Sequence, residues 1–186
     1  MTQGPLVLGG QSFEPGQLLV MAIVNRTPDS FFDRGRTFDR GPALARIDEA
    51  VAEGADIVDI GGVKAGPGTE VPEPEKLRRV VDLVRRCKER HPEVIVSVDT
   101  YRAAVADAAC AAGADLVNDA WGGWDPGVAA VAGRYGAGLV CTHAGGLPPR
   151  TRPHRVEHTN VVDEVTETVS RHAYRGNWSR YSEYGT

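Results

Sequence analysis

Apolar positions follow two patterns along the chain, and the patterns alternate. Helical spacing of three and four runs through Leu44, Ile47 and Val51, then through Leu77, Val80, Val81, Val84 and Cys87. It returns at Val105, Ala108, Ala109 and Ala112, at Val128, Val131, Ala132 and Tyr135, and more weakly at Val161, Val162, Val165 and Val169. Between these stretches lie short apolar runs at Leu18 to Val24, Ile57 to Ile60, Val94 to Val98, Leu116 to Val117 and Leu139 to Cys141. None alternates cleanly, which is how strands covered on both faces read, so the spacing predicts parallel strands. Pro42, Pro72, Pro74 and Pro126 stand near predicted helix starts, where a missing amide donor costs little, and Gly or His-Pro closes the helices. One phrase occurs three times: Gly54-Ala55-Asp56-Ile57-Val58, Gly113-Ala114-Asp115-Leu116-Val117 and Gly136-Ala137-Gly138-Leu139-Val140. Each glycine falls where a helix C-terminus wants a left-handed residue, and a strand follows at once. The order is β-α five times over, and the class is α/β.

Two architectures accept that order, an open doubly wound sheet and a (β/α)8 barrel, and the barrel ordinarily needs about 250 residues. With 186 residues and about five units, the chain is too short to close one. An open sheet fits the length, yet no strand is followed by a Gly-x-Gly-x-x-Gly or Walker turn. Residues 5–173 carry the β-α pattern as one domain, and residues 174–186 form a tail with neither period.

Charge narrows the partners. The 25 acidic and 21 basic side chains leave a net charge of -4, with no global positive excess to hold nucleic acid. The apolar runs are far short of the roughly 20 residues that span a bilayer, and Met1 to Gln17 lacks a basic start followed by an apolar stretch. A cytoplasmic protein with neither nucleic-acid nor membrane partner is expected. Cys87, Cys110 and Cys141 have no paired spacing and read as small buried hydrophobes. His143, two residues after Cys141, finds no third or fourth ligand of suitable spacing, so zinc is not expected; a rim position near a ligand and a hydrogen-bonded structural role both stand.

In parallel α/β folds the residues just after each strand build the site. Here they are Asn25 to Phe31, Gly61 to Gly68, Asp99-Thr100, Asn118 to Gly123 and Thr142 to Gly146. Asp99, emerging from an apolar strand, needs donors or a cation nearby, which a ligand supplies; it also suits the cap of a helix starting near Tyr101. Asn118 and Asp119 fit a turn or a site. The glycine-rich second loop lets backbone amides approach a phosphate or stays mobile.

These phrases resemble one family. Met21-Ala22-Ile23-Val24-Asn25-Arg26-Thr27-Pro28-Asp29-Ser30-Phe31 is similar to the first signature of dihydropteroate synthases. Asp56-Ile57-Val58-Asp59-Ile60-Gly61-Gly62 with Pro67-Gly68, then Val96-Ser97-Val98-Asp99-Thr100 and Val117-Asn118-Asp119, match that family in the same order and at similar spacing. The resemblance implies a (β/α)8 TIM barrel that joins 6-hydroxymethyl-dihydropterin pyrophosphate to 4-aminobenzoate and releases pyrophosphate. It implies Mg2+ as cofactor and, in full-length relatives, a homodimer. By resemblance Asn25 would hold the magnesium pyrophosphate, Arg26 and Lys64 would lie along the pyrophosphate loops, and Asp99 and Asn118 would meet the hydrogen-bonding edge of the pterin. No residue is singled out as catalytic.

Two departures accompany the match. The family's second loop reads Glu-Ser-Thr-Arg-Pro-Gly, whereas here Val63-Lys64-Ala65-Gly66-Pro67-Gly68 keeps a positive charge without arginine's planar fork. Such a loop is reminiscent of the divergent second copy of the synthase found in some actinobacteria. The family's strands six to eight, with a second pterin carboxylate, a lysine and an arginine-histidine pair, also find no match in residues 174–186, so the chain reads as C-terminally truncated. The expectation is therefore a synthase homologue with weak or no activity as an isolated chain, the alternative being a non-catalytic pterin-binding or partner-binding paralogue.

Overall fold

A computed structural model describes residues 4–25, 40–62, 73–146, 148–149 and 158–175. Its elements run β1 (Leu6–Leu8), β2 (Gln11–Phe13), β3 (Met21–Asn25), α1 (Arg40–Ala52), β4 (Ile57–Gly61), α2 (Glu73–Arg90), β5 (Ile95–Asp99) and α3 (Ala103–Ala111). They continue through β6 (Leu116–Asp119), α4 (Gly127–Tyr135), β7 (Gly138–Cys141) and α5 (Val161–Arg175). Strands β3 to β7 pair in parallel in the order of the chain, and β1 and β2 form a separate antiparallel hairpin. When every crossover leads to the adjacent strand with the same hand, all helices fall on one side of the sheet. The contacts agree: α1 packs on α2, α2 on α3, α3 on α4 and α4 on α5. The five β-α units are those the periodicity predicts, and helices on one face alone suit the incomplete (β/α)8 barrel that the family resemblance implies rather than a doubly wound sheet.

Alternation divides each strand between two cores. Val24, Val58, Ile60, Val96, Val98 and Val117 face the helix layer and meet Ile47, Val80, Leu83, Val84, Cys87 and Ala109. Ile57, Ile95 and Leu116, the first residues of β4, β5 and β6, point the other way and pack on Leu8 and Phe13 of the hairpin. The hairpin thus plugs the sheet's inner face at the amino ends of its strands. No apolar period predicts it, because its strands have three residues each. Its turn is Gly9-Gly10, at φ 54° and 80°, the pair of positive values that a two-residue hairpin demands.

The repeated phrase has a structural reason at each position. Gly54, Gly113 and Gly136 sit at φ 95°, 108° and 64°, closing α1, α3 and α4. The third residue then serves the neighbouring strand. Asp56 Oδ2 accepts the Val20 amide at 2.8 Å. Asp115 Oδ2 accepts the Val96 amide at 2.9 Å and the Lys88 ammonium at 3.0 Å. In the third copy the plug needs the space: a Cβ on Gly138 would come within 2.5 Å of Leu8 Cδ2 and 2.8 Å of Leu116 Cδ1.

The structure moves several sequence boundaries. β3 starts at Met21 rather than Leu18, since its ladder opens with Met21 opposite Ile57 while the Val20 amide turns to the Asp56 carboxylate. Leu18 is 91% exposed. β4, β5 and β6 run on through Gly61, Asp99 and Asp119, because ladder bonds between backbones continue whatever the side chain. Helix α3 opens after Arg102, whose side chain makes no capping bond, and the Ala103 amide is met instead by Asp125 Oδ2 at 2.8 Å. Helix α5 runs to Arg175, two residues into the stretch without pattern, and residues 176–186 lie outside the described residues. Cys87 and Cys110 are buried free thiols, and burial pushes both up to about 11.

Candidate functional site

The parallel register sets the predicted strand-end residues in one row. Asn25 pairs with Gly61, Gly61 with Asp99, Asp99 with Asn118, and Asn118 with Val140. Register partners in a parallel sheet project from the same face, and Ile57, Ile95 and Leu116 show by their contacts with the hairpin that this is the inner face. The row therefore lies at the carboxyl ends of the strands, on the side away from the helices. Gly61 contributes no side chain, which leaves a gap between Asn25 and Asp99.

One row deeper lies a carboxylate that strand-end reasoning misses. Asp59, two residues before Gly61, pairs with Ser97, two residues before Asp99, and shares their inward face. Asp59 is 4% exposed. Its Oδ1 accepts the Ser97 hydroxyl at 2.6 Å and its Oδ2 accepts Asn118 Nδ2 at 3.1 Å. The carboxamide of Asn118 is thereby anchored through its nitrogen, with the carbonyl oxygen as its acceptor. The available signal was an acid inside the apolar run Ile57-Val58-Asp59-Ile60, at even spacing from the strand's inward residues.

Burial raises the Asp59 carboxyl above its ordinary 3.8, opposed by the hydrogen bonds from Ser97 and Asn118. The sign follows directly. Below 3.8 the group is protonated folded or unfolded; as pH rises toward the raised folded value, the unfolded chain ionises first and folding loses stability. Asp59→Asn is free of this penalty. The stability of Asp59→Asn relative to the parent chain is therefore expected to improve as the pH is raised from 3.8 upward, measured by urea unfolding. A difference that stays flat across that range would contradict the burial argument.

Alternation splits Asn118 from Asp119. Asp119 faces the helix side, is 3% exposed, and accepts the amides of Trp121 at 2.9 Å and Gly123 at 3.0 Å. Burial raises its carboxyl, and those two amides and His172 pull it back. Thr142 Oγ1 donates to the Asp119 carbonyl at 2.8 Å and accepts the Gly122 amide at 3.2 Å, joining the loops after β6 and β7. Asp119 is thus the turn-maker of the pair and Asn118 the inward group. Arg26 and Lys64, with the rest of residues 26–39 and 63–72, lie outside the described residues. The expectation that His143 lacks further ligands is corrected: His158 and Glu164 stand beside it, brought there by the start of α5.

The inner row offers two carboxamides and a carboxylate at strand ends, a set matched to a flat heterocycle that presents donors and acceptors along one edge. Residues 21–176 match the family described as pterin binding enzymes. The chain belongs to the pterin-binding enzyme family. Within that family it is a dihydropteroate synthase homologue. It is 51% identical over 172 residues to a protein of Mycobacterium tuberculosis named inactive dihydropteroate synthase 2, covering 90% of this chain and 54% of that one. Among solved structures, the Yersinia pestis dihydropteroate synthase with a sulfonamide drug complex superposes with a TM-score of 0.82 at 33% identity, covering 92% of this chain and 62% of that one. The Burkholderia cenocepacia dihydropteroate synthase complexed with 7,8-dihydropteroate gives 0.74 at 36% identity, covering 94% and 58%. The chain spans about half the length of the curated relatives it matches. In this pterin-binding fold the five β-α units carry the inward row, and both TIM-barrel synthases share the architecture over that span.

Proposed function

We propose that this chain binds 6-hydroxymethyl-dihydropterin pyrophosphate at the carboxyl ends of its strands and turns it over with 4-aminobenzoate weakly or not at all. The observation that carries the reading is the inward row of Asn25, Asp99 and Asn118, with Asn118 anchored on the buried Asp59. A pterin presents a ring N–H and an amino group side by side, and a carboxylate such as Asp99 accepts both. Asn118 adds an acceptor and a donor along the same edge. In the family reaction a C–N bond to the arylamine forms as the C–O bond to pyrophosphate breaks, so charge grows on the leaving group. Magnesium neutralises such charge when bound.

Asn25 fits that ion. Mg2+ takes hard oxygen ligands and keeps several waters and substrate phosphates, so one amide oxygen at a strand end is a sufficient protein contribution. Weak turnover is supported by the 51% identity to a relative named inactive and by the second loop, where Val63-Lys64-Ala65 stands in place of an acid, hydroxyls and an arginine. The same reading puts the protein in the cytoplasm, which suits three free thiols, and gives it the homodimer implied by its resemblance to the family.

Thermal unfolding with and without Mg2+ and the pterin pyrophosphate tests the binding. A ligand held only by the folded state at 100 times its Kd contributes about 2.7 kcal/mol, so the midpoint is expected to rise. An unmoved midpoint would overturn the reading. Product formation from 4-aminobenzoate at the rate of a folate enzyme would overturn the claim of weak turnover, and a binding-null chain recovered with a full-length synthase would favour a partner-binding paralogue.

A further inference from the structure

We propose that His143, His158 and Glu164 form a site for a divalent transition metal of the Zn2+ class, separate from the strand-end row. The three residues come from three places in the fold: His143 from the loop leaving β7, His158 from the segment before α5, and Glu164 from the first turn of α5. One donor atom from each lies within 4.8 Å of the other two, the one such group of histidine, cysteine or acidic residues among the described residues.

His143 supplies an independent reason. Both of its ring nitrogens are buried, and among the described residues neither has a hydrogen-bond partner. A polar atom buried without a partner is unfavourable, and a cation bound at one ring nitrogen offsets that loss. Its ring lies against His158, with centroids 5.5 Å apart and planes tilted by 49°. The carboxylate is already oriented: Glu164 Oε2 lies 2.6 Å from His158 Nδ1, and Oε1 accepts the Thr159 amide at 3.1 Å. The His158 contact also holds the Glu164 carboxyl below its ordinary value, in the form that binds metal.

The chemistry selects the ion. Two imidazoles and one carboxylate suit Zn2+, with bonds of about 2.0–2.2 Å, so that ligand atoms on a tetrahedron lie about 3.3–3.6 Å apart. Side-chain movement on the order of 1 Å, opening the 2.6 Å His158–Glu164 pair and bringing His143 in, reaches that geometry. Three protein ligands leave a fourth position for water or another small ligand. The ion would tie the loop after β7 to the start of α5.

The test uses the whole chain without a histidine tag, stripped with chelator and titrated calorimetrically with ZnCl2 alone. One ion per chain is expected, with a rise in thermal midpoint, and Co2+ substitution is expected to give the intense visible bands of a four-coordinate ion. Glu164→Gln, on an exposed helix turn, and His143→Ala should each weaken binding by about 10- to 100-fold with the circular dichroism unchanged, while Cys141→Ser binds as the parent does. Absence of stoichiometric binding overturns the proposal. So does binding that survives Glu164→Gln intact, or binding lost in Cys141→Ser.

Discussion

Replacing Asp99 by alanine is expected to weaken pterin binding by at least about 100-fold while leaving the chain folded. Asp99 stands at the last position of β5, half-buried, between Gly61 and Asn118 in the inward row. A hydrogen bond to a charged acceptor contributes about 1.5–3 kcal/mol, and in the proposed complex the carboxylate would accept two from the pterin edge. Losing both gives about 3–6 kcal/mol, and each 1.4 kcal/mol is tenfold in Kd. Asp99→Asn separates charge from shape: it keeps the volume but turns one acceptor into a donor that faces a donor on the ring, so it should lose nearly as much. Fluorescence titration with the pterin pyrophosphate reads both variants. Affinity close to that of the parent in Asp99→Asn would remove Asp99 from the pterin edge. Because Asp99 is half-buried at a strand end and the Ala103 amide of α3 is met by Asp125, both variants should still unfold cooperatively.

The largest stability loss from a polar residue is expected at Asp115→Ala. One carboxylate oxygen of Asp115 serves the Val96 amide at the edge of β5 and the Lys88 ammonium near the end of α2, and its side chain is 13% exposed. Lys88 in turn donates to the Val94 carbonyl at 3.1 Å, so a helix end, a strand start and the next strand meet at one group. Truncation leaves a largely buried amide and a cation without their acceptor. Removing one partner of such a buried arrangement costs about 3 kcal/mol, which for a chain of this size lowers Tm by roughly 6–12 °C. Asp115→Asn retains one acceptor and should lose less. A midpoint within about 2 °C of the parent for Asp115→Ala would show that the ion pair is solvent-screened. Asp56→Ala, which frees only the Val20 amide, sets the lower end of the comparison.

The repeated glycine phrase shows how far pattern reading reaches. Its first residue was interpretable by itself, since a left-handed closing residue is a local requirement of the backbone. Its third residue was not. Why aspartate stands at positions 56 and 115 and glycine at 138 depends on the neighbouring strand and on Leu8, which lies far away in sequence. The site divides in the same way. Asn25, Asp99 and Asn118 were found because strand ends are a position along the chain, whereas Asp59 entered only through the register that sets it opposite Ser97. Asn118 and Asp119 are adjacent in sequence and part ways in space because successive strand residues face opposite sides.

The sequence by itself determined the α/β class, the five β-α units, the helix faces and the family, since a 3.6-residue period, short continuous apolar runs and contiguous signatures are local properties of a chain. Only the tertiary structure decided that the hairpin at residues 6–13 plugs the sheet, that Asp125 rather than Asp99 meets the Ala103 amide, and that His143 meets His158 and Glu164. Each of those contacts joins residues from different elements. Their closeness follows from how the crossovers stack, and no spacing along the chain encodes it.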